Sequence, residues 1–254
     1  MNIGRMSLPS LATYADYLFR YCSFDYLDIG DIIPTSLPTY CFANTTIDTL
    51  YIRPNVTVYN TYCFSSAVVD TMYLLGTKQT YNNSCWTSLS LNKIYIQNFS
   101  NWLVSTTNEY FYNANEKYII DENLEEVFDL TITTNSSWTS GKTKNLKHIR
   151  KLTLTNAYLW YGNDVFSGCE SLEEFNYDSA SMTSSVNWTQ NSTSNGVTTY
   201  YYLSTFKGMG DPQKGVVLKI GPSVTGLPKW FINENDNFIK VDLTEATKLT
   251  SLAE

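Results

Sequence analysis

The chain has 254 residues, a net charge of -7 at pH 7 and only 16% charged residues. Such a weakly acidic chain, without clustered Lys and Arg, is unsuited to neutralising phosphates and argues against nucleic acid as a partner. No apolar run reaches the ~18 residues that a membrane-crossing helix needs, so no membrane insertion is expected.

Tyrosine is frequent, with 20 residues, beside abundant Asn, Ser and Thr. That composition suits a recognition surface that makes hydrogen bonds without net charge. It equally suits strand-rich structure, because Tyr and Thr favour strands. The start of the chain, MNIGRMSLPSLATYADYLF, lacks a charged segment followed by an unbroken apolar one. This leaves export by another route, a shortened chain, or a protein not secreted by a signal peptide.

In chain order, the first regular feature is YADYLFRYCSFDYLDI, Tyr14 to Ile29. LPTYCFANTTIDTLYI (Leu37–Ile52), YNTYCFSSAVVDTMYL (Tyr59–Leu74) and YNNSCWTSLSLNKIYI (Tyr81–Ile96) repeat it, spaced 22 from one another, with the first copy one residue out of that spacing. Cysteine recurs at 41, 63 and 85, an aromatic at Phe42, Phe64 and Trp86, and tyrosine between two apolar residues at Tyr51, Tyr73 and Tyr95. Asn115–Val127 reads as a β-hairpin turning near Asp121–Asn123. Thr133–Asn145 and Ser179–Thr199 lack apolar periodicity and read as irregular surface loops. Looser copies follow at Tyr161–Tyr177, from Tyr201 with a strand at Val216–Ile220, and at Leu227–Leu243.

A repeat of this length signals a solenoid, in which each unit buries on its neighbours the apolar face that it cannot bury alone. The apolar-x-apolar triplets (Leu50-Tyr51-Ile52, Met72-Tyr73-Leu74, Ile94-Tyr95-Ile96, Leu152-Thr153-Leu154, Val241-Asp242-Leu243) predict short strands. Successive strands would pair in parallel about 4.8 Å apart, with the Phe42 position filling the far side of the coil. Cys41, Cys63 and Cys85 would then come close enough for disulfides, at roughly 5–6 Å between Cα atoms. We read them, with Cys22 and Cys169, as free buried thiols.

VFSGCESLEEF (Val165–Phe175), IGPSVTGLPKWFI (Ile220–Ile232), VDLTEATKLTSL (Val241–Leu252) and the segment Ile96–Ile132 resemble the BspA-like leucine-rich repeat, I-x-x-x-A-F-x-x-C-x-x-L-x-x-L-x-I. The chain departs from that unit where cysteine replaces alanine and where Ser/Thr/Asn loops interrupt the later copies. The resemblance implies an α/β-type but mostly β solenoid. It would be a right-handed coil with a parallel sheet on one face, short turns or helical turns on the other, and a β-hairpin insertion. A single solenoid is expected over 1–254, with regular repeats at 14–97, the insertion at about 98–145 and irregular repeats at 146–254. The chain stops at TKLTSLAE within a further repeat, which reads as a fragment or as an end docked onto another subunit.

Side chains alternate across a strand. If Leu50 and Ile52 point inward, Thr49, Tyr51 and Arg53 point outward, as do Tyr73 in the next copy and Lys93, Tyr95 and Gln97 in the one after. These seven residues are the candidate contact surface. The tyrosines are either a strip for a sugar chain or protein or cross-strand stacks that stabilise the sheet.

Signals of catalysis fail one by one. His148, the single histidine, stands in NLKHIRKL with the character of a surface residue. Zinc is not expected, because the cysteines lack CxxC spacing. Gly141-Lys142-Thr143 lacks the earlier glycine of a phosphate loop, and Gly208-Met209-Gly210 lacks the third glycine of a dinucleotide fingerprint. The acidic residues Asp121, Glu122, Glu125, Glu126 and Asp129 read as a solvated hairpin, and NENDN (233–237) as a polar turn rather than a calcium loop. Seven N-x-[ST] sequons follow from composition.

The expectation is therefore a protein that is not an enzyme and needs no cofactor. The resemblance implies binding to a protein or glycan on a cell surface, placing it outside the cell. The alternative is a component of a larger assembly, such as a phage tail or capsid, whose partners are neighbouring subunits and whose location is the virion.

Overall fold

A computed structural model describes residues 1–7, 14–29, 36–56, 58–75, 80–81, 84–99, 114–133, 137–138, 143–156, 158–159, 164–185, 189–194, 197–202, 204–229, 231–232, 235 and 237–253. The chain divides into two compact units, residues 1–126 and 127–254.

The first unit holds β1 (Arg5–Ser7), β2 (Ser23–Ile29), β3 (Ser36–Leu37), β4 (Thr46–Ile52), β5 (Val58–Tyr59), β6 (Val68–Leu74), β7 (Thr80–Tyr81), β8 (Ser90–Gln97) and β9 (Glu116–Ile120). A six-stranded sheet runs β1-β2-β4-β6-β8-β9, and a second small sheet runs β3-β5-β7. Every pairing in both is parallel. The register places Leu27, Leu50, Met72 and Ile94 in one inward column, and Ile29, Ile52, Leu74 and Ile96 in the next. All eight are fully buried, as a shared interior between stacked coils requires. The first column ends on Lys117, which pairs in register with Ile94 and is itself fully buried.

The opposite side of each coil is also stacked. Phe19, Phe42, Phe64 and Trp86 lie ring on ring with centroids 5.4, 5.2 and 4.9 Å apart. Amides of one coil donate to carbonyls of the next: Phe19 to Cys41 at 2.9 Å, Phe42 to Cys63 at 2.8 Å and Phe64 to Cys85 at 2.9 Å. These segments are short turns, the first of the two alternatives expected. Each carries two residues with left-handed backbone four positions apart, namely Tyr17 and Tyr21, Tyr40 and Asn44, Tyr62 and Ser66, and Ser84 and Ser88. A right-handed helix cannot propagate through such residues. The five cysteines are free and buried.

The hairpin predicted at 115–127 is replaced by a rung. Residues 116–120 extend the parallel sheet as β9, and only one antiparallel bridge, Ile120 to Glu126, closes the turn that follows. Asp121 holds that turn, its Oδ1 accepting the amides of Asn123 at 2.8 Å and Glu125 at 2.9 Å. Of the insertion expected at about 98–145, residues 100–113, 134–136 and 139–142 lie outside the described residues.

The second unit holds β10 (Asp129–Thr133), β11 (Ser137–Trp138), β12 (Lys151–Thr155), β13 (Tyr158–Leu159), β14 (Glu174–Asp178), β15 (Thr189–Ser194), β16 (Val197–Tyr202), β17 (Val216–Ile220), β18 (Gly226–Leu227), β19 (Phe238–Asp242) and β20 (Ser251–Leu252). Its main sheet runs β10-β12-β14-β17-β19, again parallel throughout. Leu130, Leu152, Phe175 and Leu218, with Ile132, Leu154, Tyr177 and Ile220, form the inward columns. Among the described residues a hairpin runs from the segment read as an irregular loop into the copy read from Tyr201, where β15 and β16 pair antiparallel. The sequences of its strands, TQNSTS and VTTYYY, carry no apolar-polar alternation that would mark them.

Candidate functional site

The outward face of the six-stranded sheet carries the predicted tyrosines. Tyr51 pairs with Tyr73, Tyr73 with Tyr95 and Tyr95 with Tyr118 in strict register. Their rings stack with centroids 4.3, 4.6 and 4.9 Å apart and planes 2°, 7° and 17° from parallel. Rings on neighbouring rungs stand about one strand spacing apart, close to the thickness of two aromatic rings in contact. Stacking therefore follows from the register. Tyr26 sits one outward position earlier, opposite Thr49, and meets Tyr51 tilted at 5.5 Å and 42°.

Charged groups brace both ends. Asp28, on β2, occupies the Tyr51 column and is buried. Arg53 grips it with Nε at 2.9 Å from Oδ1 and a terminal nitrogen 2.7 Å from Oδ2, a fork geometry that fixes both partners. At the other end the Tyr118 hydroxyl donates to Glu116 at 2.8 Å, and Glu116 pairs with Lys93 at 3.5 Å. Gln97 donates from Nε2 to the Asp121 carbonyl at 3.1 Å. All seven predicted residues thus lie on this sheet or its edge, Thr49 in the column of Tyr26, Thr71 and Lys93.

Tyr26, Tyr51, Tyr95 and Tyr118 are held neutral. Burial, then the neighbouring Tyr73, pushes Tyr51 up to about 12. Burial likewise raises Tyr26, Tyr95 and Tyr118, with Glu116 contributing to the last two. Because each ring faces another ring, the column presents its edges and hydroxyls rather than its π faces.

A second tyrosine column on the turn side went unread. Tyr17, Tyr40 and Tyr62 stack with centroids 5.1 and 4.9 Å apart, and the Arg20 guanidinium lies 4.7–5.6 Å from the rings of Tyr17, Tyr21 and Tyr40. The signal was tyrosine two residues before each Phe of the inner stack. Left-handed backbone at these three tyrosines (φ 64°, 55° and 60°) concealed it, since such positions favour Gly or Asn.

In the second unit the residues between inward pairs are Thr131, Thr153, Asn176, Lys219 and Asp242, aligned in register. This is the position that tyrosine fills in the first unit. The shorter side chains leave an open groove of about 520 Å³, lined by Lys151, Thr153, Glu174, Asn176, Asp178 and Lys219, among others. Glu174 binds Lys151 at 3.0 Å and Lys219 at 2.7 Å, and accepts from Asn176 at 3.0 Å. Its partial burial opposes ionisation, but these three partners outweigh it and hold the carboxyl at about 2.

Several of the other residues singled out in the sequence have local contacts, while Asn233, Glu234 and Asp236 lie outside the described residues. His148 is exposed beside Phe128. Thr143 is buried and donates to the Val165 carbonyl at 2.7 Å, while Gly141 and Lys142 lie outside the described residues. Asn235 and Asn237 cap backbone, Asn235 Nδ2 donating to Phe206 O at 2.6 Å and Asn237 Nδ2 to Met209 O at 3.0 Å.

Residues 2–117 match the BspA type leucine rich repeat region, in six copies. No curated protein and no solved structure matches the chain.

Proposed function

With residues 2–117 being BspA-type leucine-rich repeats, we propose that the chain is a non-catalytic binding module acting outside the cell. It recognises a protein or glycan at a cell surface through the outward face of the first sheet. The unbroken column Tyr51–Tyr73–Tyr95–Tyr118 carries this reading. The core dictates the inward residues but not these. A row of hydroxyls at strand spacing, braced by Arg53–Asp28 and Lys93–Glu116, is a hydrogen-bonding strip pre-ordered before a partner arrives. Pre-ordering lowers the entropy lost on binding.

The test compares the chain with its Tyr51→Ser/Tyr73→Ser/Tyr95→Ser variant on a glycan array and on intact cells, with thermal unfolding measured alongside. Binding to a surface glycan or protein that disappears in the variant supports the proposal. Binding that survives while the melting temperature falls makes the column a sheet-stabilising stack. Retention only by subunits of a larger particle replaces the cell-surface partner with an assembly.

A further inference from the structure

On the turn side, the coil that carries Phe19 departs from the three stacked after it. Phe19, Phe42, Phe64 and Trp86 lie ring on ring, and this stack aligns the residues around them. Ala43, Ser65 and Thr87 follow the aromatic in the later coils, whereas Arg20 follows Phe19. The left-handed position after that holds Asn44, Ser66 and Ser88, but Tyr21 in the first coil. Before the aromatic stand the buried Cys41, Cys63 and Cys85, but Leu18 in the first coil, where it is 47% exposed. The turn therefore forms with small residues at all three positions, and the core does not call for Leu18, Arg20 or Tyr21.

Arg20 is half-buried and has no counterion. Its guanidinium lies 4.7 Å from the Tyr21 ring centroid and 5.6 Å from those of Tyr17 and Tyr40, in cation–π contact with all three. Rings offer no oxygen acceptor. Among the described residues no carboxylate or carbonyl meets the Arg20 side chain, and its Nε is buried without a hydrogen bond. Asp16, the carboxylate of the same turn, is engaged elsewhere, its Oδ1 accepting the Thr39 amide at 2.9 Å. Arg53 shows the contrast, because Asp28 closes its fork through Nε and a terminal nitrogen. Arg20 holds the same planar set of donors, ready for a carboxylate, without the acid.

The surroundings of this cation are apolar and open. Tyr17 and Tyr21 are 50% and 62% exposed, beside the exposed Leu18. Tyr and Arg are the side chains that most often anchor a protein interface. Leucine has nothing to offer a sugar hydroxyl, and its exposed surface is covered favourably by another apolar side chain.

We infer that the turn Tyr17–Tyr21, with Tyr40, is a second contact surface, and that it takes a protein segment bearing a carboxylate beside apolar side chains. The carboxylate meets the guanidinium, and the apolar neighbours cover Leu18 and the tyrosine rings. A basic segment would set like charges together, and a neutral one would bury the guanidinium further without a partner. This surface lies on the turns, apart from the outward tyrosine column of the sheet, and its partner class rests on Arg20 and Leu18 alone.

Selection of a phage-displayed library of random dodecapeptides on the full chain, with counter-selection on Arg20→Gln, tests it. Peptides held by the parent and lost by the variant should be enriched, over the unselected library, in Asp or Glu next to an apolar residue. The most enriched peptide should bind Arg20→Gln about tenfold or more weakly, and so should its amide counterpart with the parent. The two losses should not add, because each removes one partner of the same pair. Tyr21→Asn takes the residue that the next coil carries at that position, and should weaken binding while leaving the fold intact. Circular dichroism melts check both variants, and Tyr21→Asn serves for counter-selection if Arg20→Gln does not fold. The triple tyrosine variant of the sheet should bind the peptide unchanged, which separates this surface from the proposed recognition face. Absence of variant-sensitive peptides, variant-sensitive peptides without acidic enrichment, or losses that add would overturn the assignment. Arg20-dependent binding of a galacturonic acid hexamer, with no such peptide found, would overturn it in favour of an acidic glycan.

Discussion

Tyr51 and Tyr73 stack with ring centroids 4.3 Å apart and planes 2° from parallel, the tightest pair in a column of four coaxial phenols. Tyr73 has a partner on each face, since Tyr95 lies 4.6 Å away on the other side. Cross-strand aromatic pairs contribute about 0.2–1 kcal/mol each, so Tyr73→Ser, which loses two, should destabilise the first unit by about 0.4–2 kcal/mol. Tyr73→Phe keeps both stacks and should stay within about 0.5 kcal/mol of the parent. Urea unfolding of the two variants checks this. Equal losses would mean that the hydroxyl, not the ring, supports the sheet.

The inward half of this architecture was legible because the core repeats itself. Leu50, Met72 and Ile94 must meet their counterparts one rung away, and a period of 22 exposes them. Tyr51, Tyr73 and Tyr95 were read as outward for the same reason. Tyr118 was missed because its rung carries Lys117 where an apolar residue was sought, and because the Asp121 turn that follows resembles a hairpin in sequence. The turn-side column Tyr17–Tyr40–Tyr62 was hidden by a backbone conformation that residue type argues against. The groove of the second unit was invisible for another reason. It consists of what is absent at Thr153 and Asn176 relative to Tyr73, and that comparison needs the register of both sheets.

The thiols make a second prediction. Cys41, Cys63 and Cys85 recur at one position of successive coils, and all five cysteines are buried and outside any disulfide. Burial pushes the Cys41 thiol up to about 12 and raises Cys63 well above its usual value, with Cys85 contributing there. Neutral thiols are poor nucleophiles. The native chain should therefore react slowly with Ellman's reagent at pH 8 and release five equivalents only after denaturation. Fast reaction of two or more thiols in the folded protein would contradict the stacked interior.

Gly221 supplies a third. An added Cβ would approach Asp178 Cβ, Cγ and Oδ1 to 2.5, 2.6 and 2.9 Å. The Asp178 carboxylate is also held by Ser223, so it cannot yield without losing those bonds. Gly221→Ala should cost about 1–3 kcal/mol, the range for overpacking a tight site. Gly208→Ala meets no atom closer than 3.8 Å. It does require left-handed backbone at φ 67°, which an alanine accepts for about 1 kcal/mol. Thermal melts should rank Gly221→Ala as the more damaging of the two.

The fourth prediction concerns acid. Glu174 sits between Lys151 and Lys219, and their hydrogen bonds, with that of Asn176, overcome partial burial to lower its carboxyl to about 2 from an ordinary 4.5. A carboxyl depressed in the folded state stabilises the fold at every pH above its unfolded value, and that contribution is lost as pH falls through the folded value. The second unit should therefore hold its Glu174 contribution above about pH 4.5 and lose it between there and about pH 2. Both lysines are 44% exposed, and solvent screening reduces the contribution to about 1–2 kcal/mol. Glu174→Gln cannot ionise, so its unfolding free energy should change less than that of the parent between pH 5 and pH 2.5. The difference should shrink in 1 M salt, where the screening length falls to about 3 Å. An identical acid profile for parent and variant would show that the two lysines do not act through Glu174.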